Sequence, residues 1–304
     1  MTRASTPPAR SRIALALLAV YLFWGSSYLF SRIGVRALPA LLFGGARFTM
    51  AGVIMLSIAA VARQRVRPAR SEWRDLSVLA LIGFVICNGA GVWSLQYIAS
   101  NQGALLNTTA PCWIALLGML GSRAHRPGRR AIVGLVLGFA GAVLIVRPGG
   151  GTQPGGLLPQ LVAVGGCFAW AVASIYLRNS RLRLPLLSLI GWQMLLGGIG
   201  LLLAGAASGE LPRWHWSATG VIALTVQVAL ASCIAHTAYA WLTRRVTPTV
   251  LGTYGYVNPV VATVLGWLWL GETLSANQLA GMALALAGVV LITWRPRGIM
   301  AGEP

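Results

Sequence analysis

The side chains able to do chemistry here are few, and almost all of them sit inside long apolar runs. His236 is the one histidine within such a run, with Ser232 and Tyr239 at i−4 and i+3 on its helical face. Asn88 lies in the middle of another run. Asn107 and Asn258 precede two prolines, Pro111 and Pro259, and Tyr254 stands one turn before Asn258. Trp24 and Trp170 lie too deep in their runs to belong to an interfacial aromatic belt. Polar groups at such depth face a bundle interior or a watery cavity. Trp24, Asn88, Asn107, Trp170, His236, Tyr239, Tyr254 and Asn258 are therefore the candidate substrate-binding residues. A plainer reading stands beside each: His236 and Asn88 as cross-helix packing bonds, the tryptophans as packing aromatics.

The same inventory argues against catalysis. Asp and Glu total five, Asp75 falls at a helix start, and no aspartate lies within an apolar run. There is no H-E-x-x-H, no G-x-S-x-G and no G-x-x-x-x-G-K-[ST], so zinc hydrolysis, serine hydrolysis and nucleotide-driven pumping have no carrier. The four cysteines, Cys87, Cys112, Cys167 and Cys233, lie inside apolar runs without paired spacing. They read as small packing residues. No cofactor and no metal are expected.

The prolines reveal how the chain is organised. A shift of 148 residues lays Pro111 on Pro259, Ser100 on Pro248, Ala104 on Gly252, Trp93 on Trp241 and Asn88 on His236. Shifts of 146 and 147 lay Trp24 on Trp170, Arg32 on Arg178 and Gly141 on Gly288. Each copy carries an apolar helix interrupted by proline, which removes a backbone hydrogen bond and frees a carbonyl. In a bilayer this is tolerated only against protein or a water-filled cavity. Proline-interrupted helices at matching positions of two halves mark a transporter's binding site.

Composition fixes the class. Hydrophobic residues make up 57% and charged residues 10%, against about 25% charged in soluble domains; mean hydropathy is +0.73. The fold class is an all-α membrane protein. Apolar runs fall at about 13–33, 38–62, 76–97, 101–121, 130–147, 157–178, 185–207, 218–243, 248–270 and 275–294, giving ten transmembrane helices at roughly 20 residues per span. The net charge of +19 comes from arginines scattered through short connectors, so nucleic acid is not a partner. Basic connectors alternate with nearly neutral ones. Arg63, Arg65, Arg67, Arg70 and Arg74 follow the second run, Arg178, Arg181 and Arg183 the sixth, and Arg244 and Arg245 the eighth. By the positive-inside rule both termini are cytoplasmic. The first run, preceded by Arg3, Arg10 and Arg12, reads as an uncleaved span. Five spans repeated once must enter the membrane from opposite sides, so the two copies, 13–147 and 157–294, form inverted five-helix repeats.

Three further residues carry specific expectations. Arg47, roughly two turns into the second run, is either a carboxylate-binding cation or an arginine snorkelling to the external headgroups. Snorkelling is favoured, because Gln193 replaces it in the second copy. Glycines Gly134, Gly138, Gly141, Gly281 and Gly288 let helices approach closely. Ser275 with Gln278 reads as the N-cap of the last helix.

These residues resemble a known family. Trp24-Gly25-Ser26-Ser27-Tyr28, Ala46-Arg47-Phe48, Tyr256-Val257-Asn258-Pro259 and Leu270-Gly271-Glu272-Thr273-Leu274-Ser275 are similar to the EamA-domain members of the drug/metabolite transporter superfamily, as two EamA repeats over about 13–294. The resemblance implies a ten-helix inner-membrane carrier, generally an exporter of amino acids, related metabolites or drugs. It implies a cavity between the repeats and peripheral fifth and tenth helices. The glutamate pattern at Glu272 has no counterpart in the first repeat, where Ser122-Arg123-Ala124-His125 stands.

The expected function is secondary transport of a small organic solute, in the outward direction, by alternating access. The expected partners are the solute and the lipid bilayer, with the chain a monomer. A non-transporting sensor or assembly partner, and an intramembrane enzyme, are the rivals. Coupling has two forms: a proton route through His236, with Glu272 at the outer gate, or facilitated export, which is preferred.

Overall fold

The computed structural model describes residues 10–118, 129–146, 156–242, 245–246 and 253–293. Pro248, Gly252 and the Ser122-Arg123-Ala124-His125 segment lie outside these residues. All regular structure among them is helical. In chain order the helices are α1 (Arg10–Ala37), α2 (Ala40–Val61), α3 (Glu72–Ser94), α4 (Ser100–Leu106), α5 (Thr109–Gly118), α6 (Arg129–Val146), α7 (Leu158–Asn179), α8 (Leu186–Ala207), α9 (Ala218–Leu242), α10 (Tyr254–Leu270) and α11 (Ala276–Thr293). Six of them, α1, α2, α3, α7, α8 and α9, are long and apolar enough to cross a membrane. Three more contain shorter apolar stretches, Ile132–Ile145, Val257–Leu270 and Ala276–Leu291.

The fourth apolar run, read as one helix, is two. α4 and α5 meet at Asn107 and Thr108, just before Pro111, whose ring cannot accept a continuing α-helix behind it. The carbonyls released there do not stay free. Thr108 Oγ1 donates to Leu105 O at 2.6 Å and Thr109 Oγ1 to Leu106 O at 2.8 Å. Pro259 remains inside α10. A Cβ placed on Gly255 would lie 3.9 Å from Pro111 Cγ, so the two proline segments touch.

Glycine controls helix approach, and it does so in matched pairs. Where α2 packs on α8, a Cβ on Gly52 would lie 2.5 Å from Leu195 N, and one on Gly198 2.3 Å from Thr49 N. Along the same seam Gly45 meets Leu202 and Gly191 meets Leu56. A single shift of 146 residues converts each contact into the other. Between α6 and α11, Gly141 abuts Ala285 and Gly281, while Gly288 abuts Gly138 and Gly134. The glycines expected to permit close approach do so here.

Carboxylates lock the connectors. Glu210, after α8, accepts from Leu42 N at 2.9 Å and Leu41 N at 3.3 Å at the start of α2. Glu72, after α2, accepts from Arg183 N at 2.9 Å just before α8. Glu210 satisfies backbone donors that the start of α2 leaves without intrahelical acceptors, and Glu72 ties the segment before α8 to the start of α3. The Ser275–Gln278 cap forms as expected, with Gln278 N donating to Ser275 Oγ and Ser275 N to Gln278 Oε1. Bulky apolar side chains such as Met50, Val53 and Ile58 on α2, Val133 and Val136 on α6, and Trp267 on α10 remain exposed on the outer surface, suited to lipid.

Candidate functional site

The bundle holds a half-open cavity of about 200 Å³ lined from α1, α2, α3, α4, α7, α9 and α10, and by Asn107 at the α4–α5 break. Among the described residues, none from α6 or α11 lines it. Two of the lining helices owe their shape to widened turns. α3 is π-helical over Leu81–Ile86 and α9 over Gln227–Ala235. Such turns, with N–H groups bonded five residues back, re-aim the side chains that follow them. Asn88 and His236 come directly after. Asn88 Nδ2 donates to Gly83 O at 2.8 Å, and His236 Nδ1 lies 2.8 Å from Ala231 O.

That contact assigns the imidazole. A carbonyl oxygen only accepts, so the proton sits on Nδ1 and Nε2 is the ring's acceptor in its neutral form. Trp24 Nε1 donates to the same Ala231 O at 3.1 Å. Its 3.4 Å approach to His236 Nδ1 brings two donors together and is a contact only. The Trp24 ring packs against His236, Tyr239 and Tyr254 with centroids 5.0, 5.0 and 5.3 Å apart. Tyr239 and Tyr254 pack edge to face at 5.7 Å. Tyr21 Oη bonds to Thr253 Oγ1 beside this cluster. Aromatic groups from α1, α9 and α10 thus cluster along one part of the cavity lining. The lining then runs past Trp170, Asn88 and Asn107 to Ser31, Leu95 and Ile98, near the last turns of α1 and α3. There Arg32 donates to Leu95 O.

Of the residues singled out by sequence, Trp24, Asn88, Asn107, Trp170, His236, Tyr254 and Asn258 line this one cavity. Tyr239 stands behind the lining, against Trp24. Asn107 Oδ1 accepts from Cys167 Sγ at 3.6 Å. Asn258 is 5% exposed, and its Oδ1 has no hydrogen-bond partner among the described residues. The expected face shared by His236, Ser232 and Tyr239 is rearranged by the π-turns. Ser232 turns to α2, where it accepts from Arg47 Nε at 2.9 Å.

Arg47 corrects the sequence reading. Expected to snorkel outward, it is 7% exposed and lines the cavity. Its guanidinium carbon lies 4.6 Å from the centroid of the Phe48 ring. A signal for this was present. Arg47 shares a stripe with Gly44, Ala51 and Met55, all buried, whereas Met50, Val53, Ile54 and Ile58 form the exposed stripe of α2. Glu272 is also fully engaged, but not at the cavity. It accepts from Ser100 N at 2.8 Å, Ser100 Oγ at 2.7 Å and Asn101 N at 3.1 Å, capping α4. Gly271, in the left-handed region at φ +65°, makes the turn that delivers it.

A sheath of helices around a partly polar, largely apolar cavity, with no nucleophile–base pair assembled in it among the described residues, suits solute binding. The model of the EamA-like transporter family matches the chain twice, over residues 11–147 and 157–294. The chain belongs to this family. Among its relatives is the uncharacterized inner membrane transporter YedA of Escherichia coli K12, 32% identical over 91% of this chain and 89% of its own length. The uncharacterized transporter YvbV of Bacillus subtilis is 23% identical, over 95% and 93%. An S-adenosylmethionine/S-adenosylhomocysteine transporter of Chlamydia trachomatis is 24% identical, over 91% and 89%. A solved structure known only as "Crystal structure of protein" superposes with a TM-score of 0.66 at 21% identity, covering 93% of this chain and 96% of that one, and so shares its fold. This EamA-like protein is a multi-pass membrane transporter and not an enzyme.

Proposed function

We infer that the protein is a secondary transporter that exports a small organic solute, an amino acid, related metabolite or drug, across the inner membrane by alternating access. In this reading ten helices span the bilayer as two inverted five-helix repeats, 13–147 and 157–294, with both termini cytoplasmic. The protein acts as a monomer in the lipid bilayer and needs no cofactor.

The observation that carries the reading is the cavity, to which both halves contribute matched residues: Trp24 and Trp170, Asn88 and His236. The reciprocal glycine contacts of α2 with α8 and of α6 with α11 support a two-fold relation between the halves. α4 and α5 together supply the span that the six long and three shorter apolar helices leave wanting. In this reading the last turns of α1 and α3 lie outside, the aromatic cluster at Trp24 lies on the cytoplasmic side of the cavity, and the outward state is the one that releases cargo. Inverted repeats supply the opposite state by exchanging the roles of the halves. The relative named YedA carries an inner-membrane description, which supports the location.

Flux from proteoliposomes tests the function. Asn258→Ala and Tyr254→Ala should lower efflux while the protein stays folded and inserted, and Leu284→Ala on α11 should have little effect. Equal losses at the three positions would indicate general destabilisation. Reporter fusions test the topology: after Gly209 they should report the external side, and after Arg67 and Arg181 the cytoplasm. A cytoplasmic result at Gly209 would refute the orientation.

A further inference from the structure

Among the described residues, Arg47 is the one permanently charged side chain that lines the cavity, and no carboxylate lies opposite it there. Arg47 is 7% exposed, and among the described residues its hydrogen bond is Nε–H to Ser232 Oγ. A guanidinium has five N–H donors in a planar fork, so its two terminal nitrogens, which carry four of them, have no partner among the described residues. The ion pairs found there, Arg65–Glu72 and Arg74–Asp75, lie elsewhere. No aspartate or glutamate lines the cavity. The five residues Glu72, Asp75, Glu210, Glu272 and Glu303 are the only acids in the chain. The first four are occupied: Glu72 by Arg65 and two backbone donors, Asp75 by Tyr176, Glu210 at α2, Glu272 at α4.

Taking a charge out of water without a counter-ion is costly, and the chain keeps this one where an apolar residue would pack. Arg47 lines the cavity, so an anionic group that enters it can supply the partner. An arginine fork matches a carboxylate with two parallel hydrogen bonds, and a low-dielectric wall strengthens them. The same surroundings penalise a cationic solute. Size narrows the class further. At about 200 Å³ the cavity is smaller than the ~300–1,000 Å³ pockets that bury drug-sized ligands. Trp24 and Trp170 offer apolar wall beside the fork, and the unpartnered Asn258 Oδ1 offers an acceptor.

We propose that Arg47 is the receptor for the anionic group of the solute, and that the solute is an organic carboxylate of amino-acid size. This rests on the transporter reading above. Arg47 binds the carboxylate through its free terminal nitrogens while Ser232 holds Nε and fixes the plane of the fork. The ammonium of an amino acid, where present, has Asn258 Oδ1 as its acceptor.

The test uses the full-length purified protein and two arms. In the first, thermal unfolding is followed with each of the standard L-amino acids and with its carboxamide. One or more carboxylates should raise the unfolding temperature and their carboxamides should not. Arg47→Gln should abolish that shift, weakening binding by about ten- to a hundredfold, the range for losing a charge-assisted pair. Arg47→Lys, which keeps the charge but not the fork, should restore part of it. Without solute, Arg47→Gln should unfold no earlier than the native protein, because it removes an unbalanced buried charge. Early unfolding of Arg47→Gln that Arg47→Lys corrects, or equal shifts with carboxylates and carboxamides, would overturn the proposal in favour of a structural arginine. In the second arm, proteoliposomes loaded with the same mixture are assayed for efflux. Selective loss of carboxylate efflux in Arg47→Gln supports the assignment. Efflux indifferent to the carboxylate overturns it and leaves the transporter reading standing. No efflux of any solute above empty liposomes overturns both.

Discussion

Asn88 and His236, 148 residues apart, make the same bond: each side chain reaches the carbonyl five residues behind it, Gly83 and Ala231, at 2.8 Å. Those carbonyls are themselves 148 residues apart, and each belongs to a π-helical segment. Different chemistries thus perform one local task in the two halves. The halves then diverge, because Trp24 also donates to Ala231 O.

This relationship predicts graded effects. His236→Leu removes a donor from Ala231 O but leaves Trp24, so it should cost about 0.5–2 kcal/mol, in the range of a lost hydrogen bond in a membrane bundle. Asn88→Leu should cost more, since Gly83 O has no tryptophan to replace the amide. Unfolding temperatures of the two variants in detergent check the order. A larger loss at His236 would show that Ala231 O depends on the imidazole and not on the indole.

Much of this architecture was legible in the sequence. The apolar runs, the repeat, the glycine faces and the Ser275–Gln278 cap all follow from local rules of length, spacing and capping. The cavity residues were found because a buried asparagine or histidine has few uses in an apolar helix. The π-turns were not legible: one widened turn changes neither composition nor hydropathy, and Leu81–Ile86 reads as any apolar helix. Arg47 was misjudged because snorkelling was argued from its position near the helix start and from Gln193 standing in its place in the second copy, without asking which stripe of α2 it occupies. The role of Glu272 was hidden because its partners, Ser100 and Asn101, are some 170 residues away in the chain.

The matched glycines predict matched costs. Gly52→Ala and Gly198→Ala each drive a methyl group into the backbone of the facing helix. Both should weaken the α2–α8 seam by about 1–3 kcal/mol, the range for overpacking. Gly165→Ala, where an added Cβ meets nothing within 4 Å, is the control and should be neutral or slightly stabilising. Thermal unfolding of the three variants decides the matter. A cost at only one of the two seam glycines would mean that the seam is not balanced about its centre.

Glu272 should behave as a cap. Its carboxylate accepts from two backbone N–H groups and a hydroxyl at the start of α4, where negative charge is favoured. Glu272→Gln keeps one accepting oxygen and should cost less than Glu272→Ala, which should lose about 1–2 kcal/mol, as for other lost N-caps. Gly266→Ala should mimic the loss, since its Cβ would lie 2.4 Å from Glu272 Oε2. If Glu272→Gln instead preserves stability but removes pH-dependent efflux, the residue is a proton carrier and the capping account fails.

The remaining prediction concerns the driving force. A proton-coupled exporter needs an interior group that gains and loses a proton as the cavity changes sides. His236 is the one candidate with an ordinary pKa near neutrality. In this structure it is committed: Nδ1–H is held by Ala231 O and the ring packs against Trp24 within the aromatic cluster. Glu272, the other candidate, is spent on α4. Facilitated export needs neither. Reconstituted protein should therefore carry solute down its own gradient with no pH difference imposed, at a rate that an added proton gradient changes little. His236→Gln, which keeps a donor near Ala231 O, should alter apparent affinity more than the final distribution of solute. Accumulation against a gradient when only a pH difference is imposed, lost in His236→Gln, would show that the imidazole leaves Ala231 O during the cycle and carries the proton.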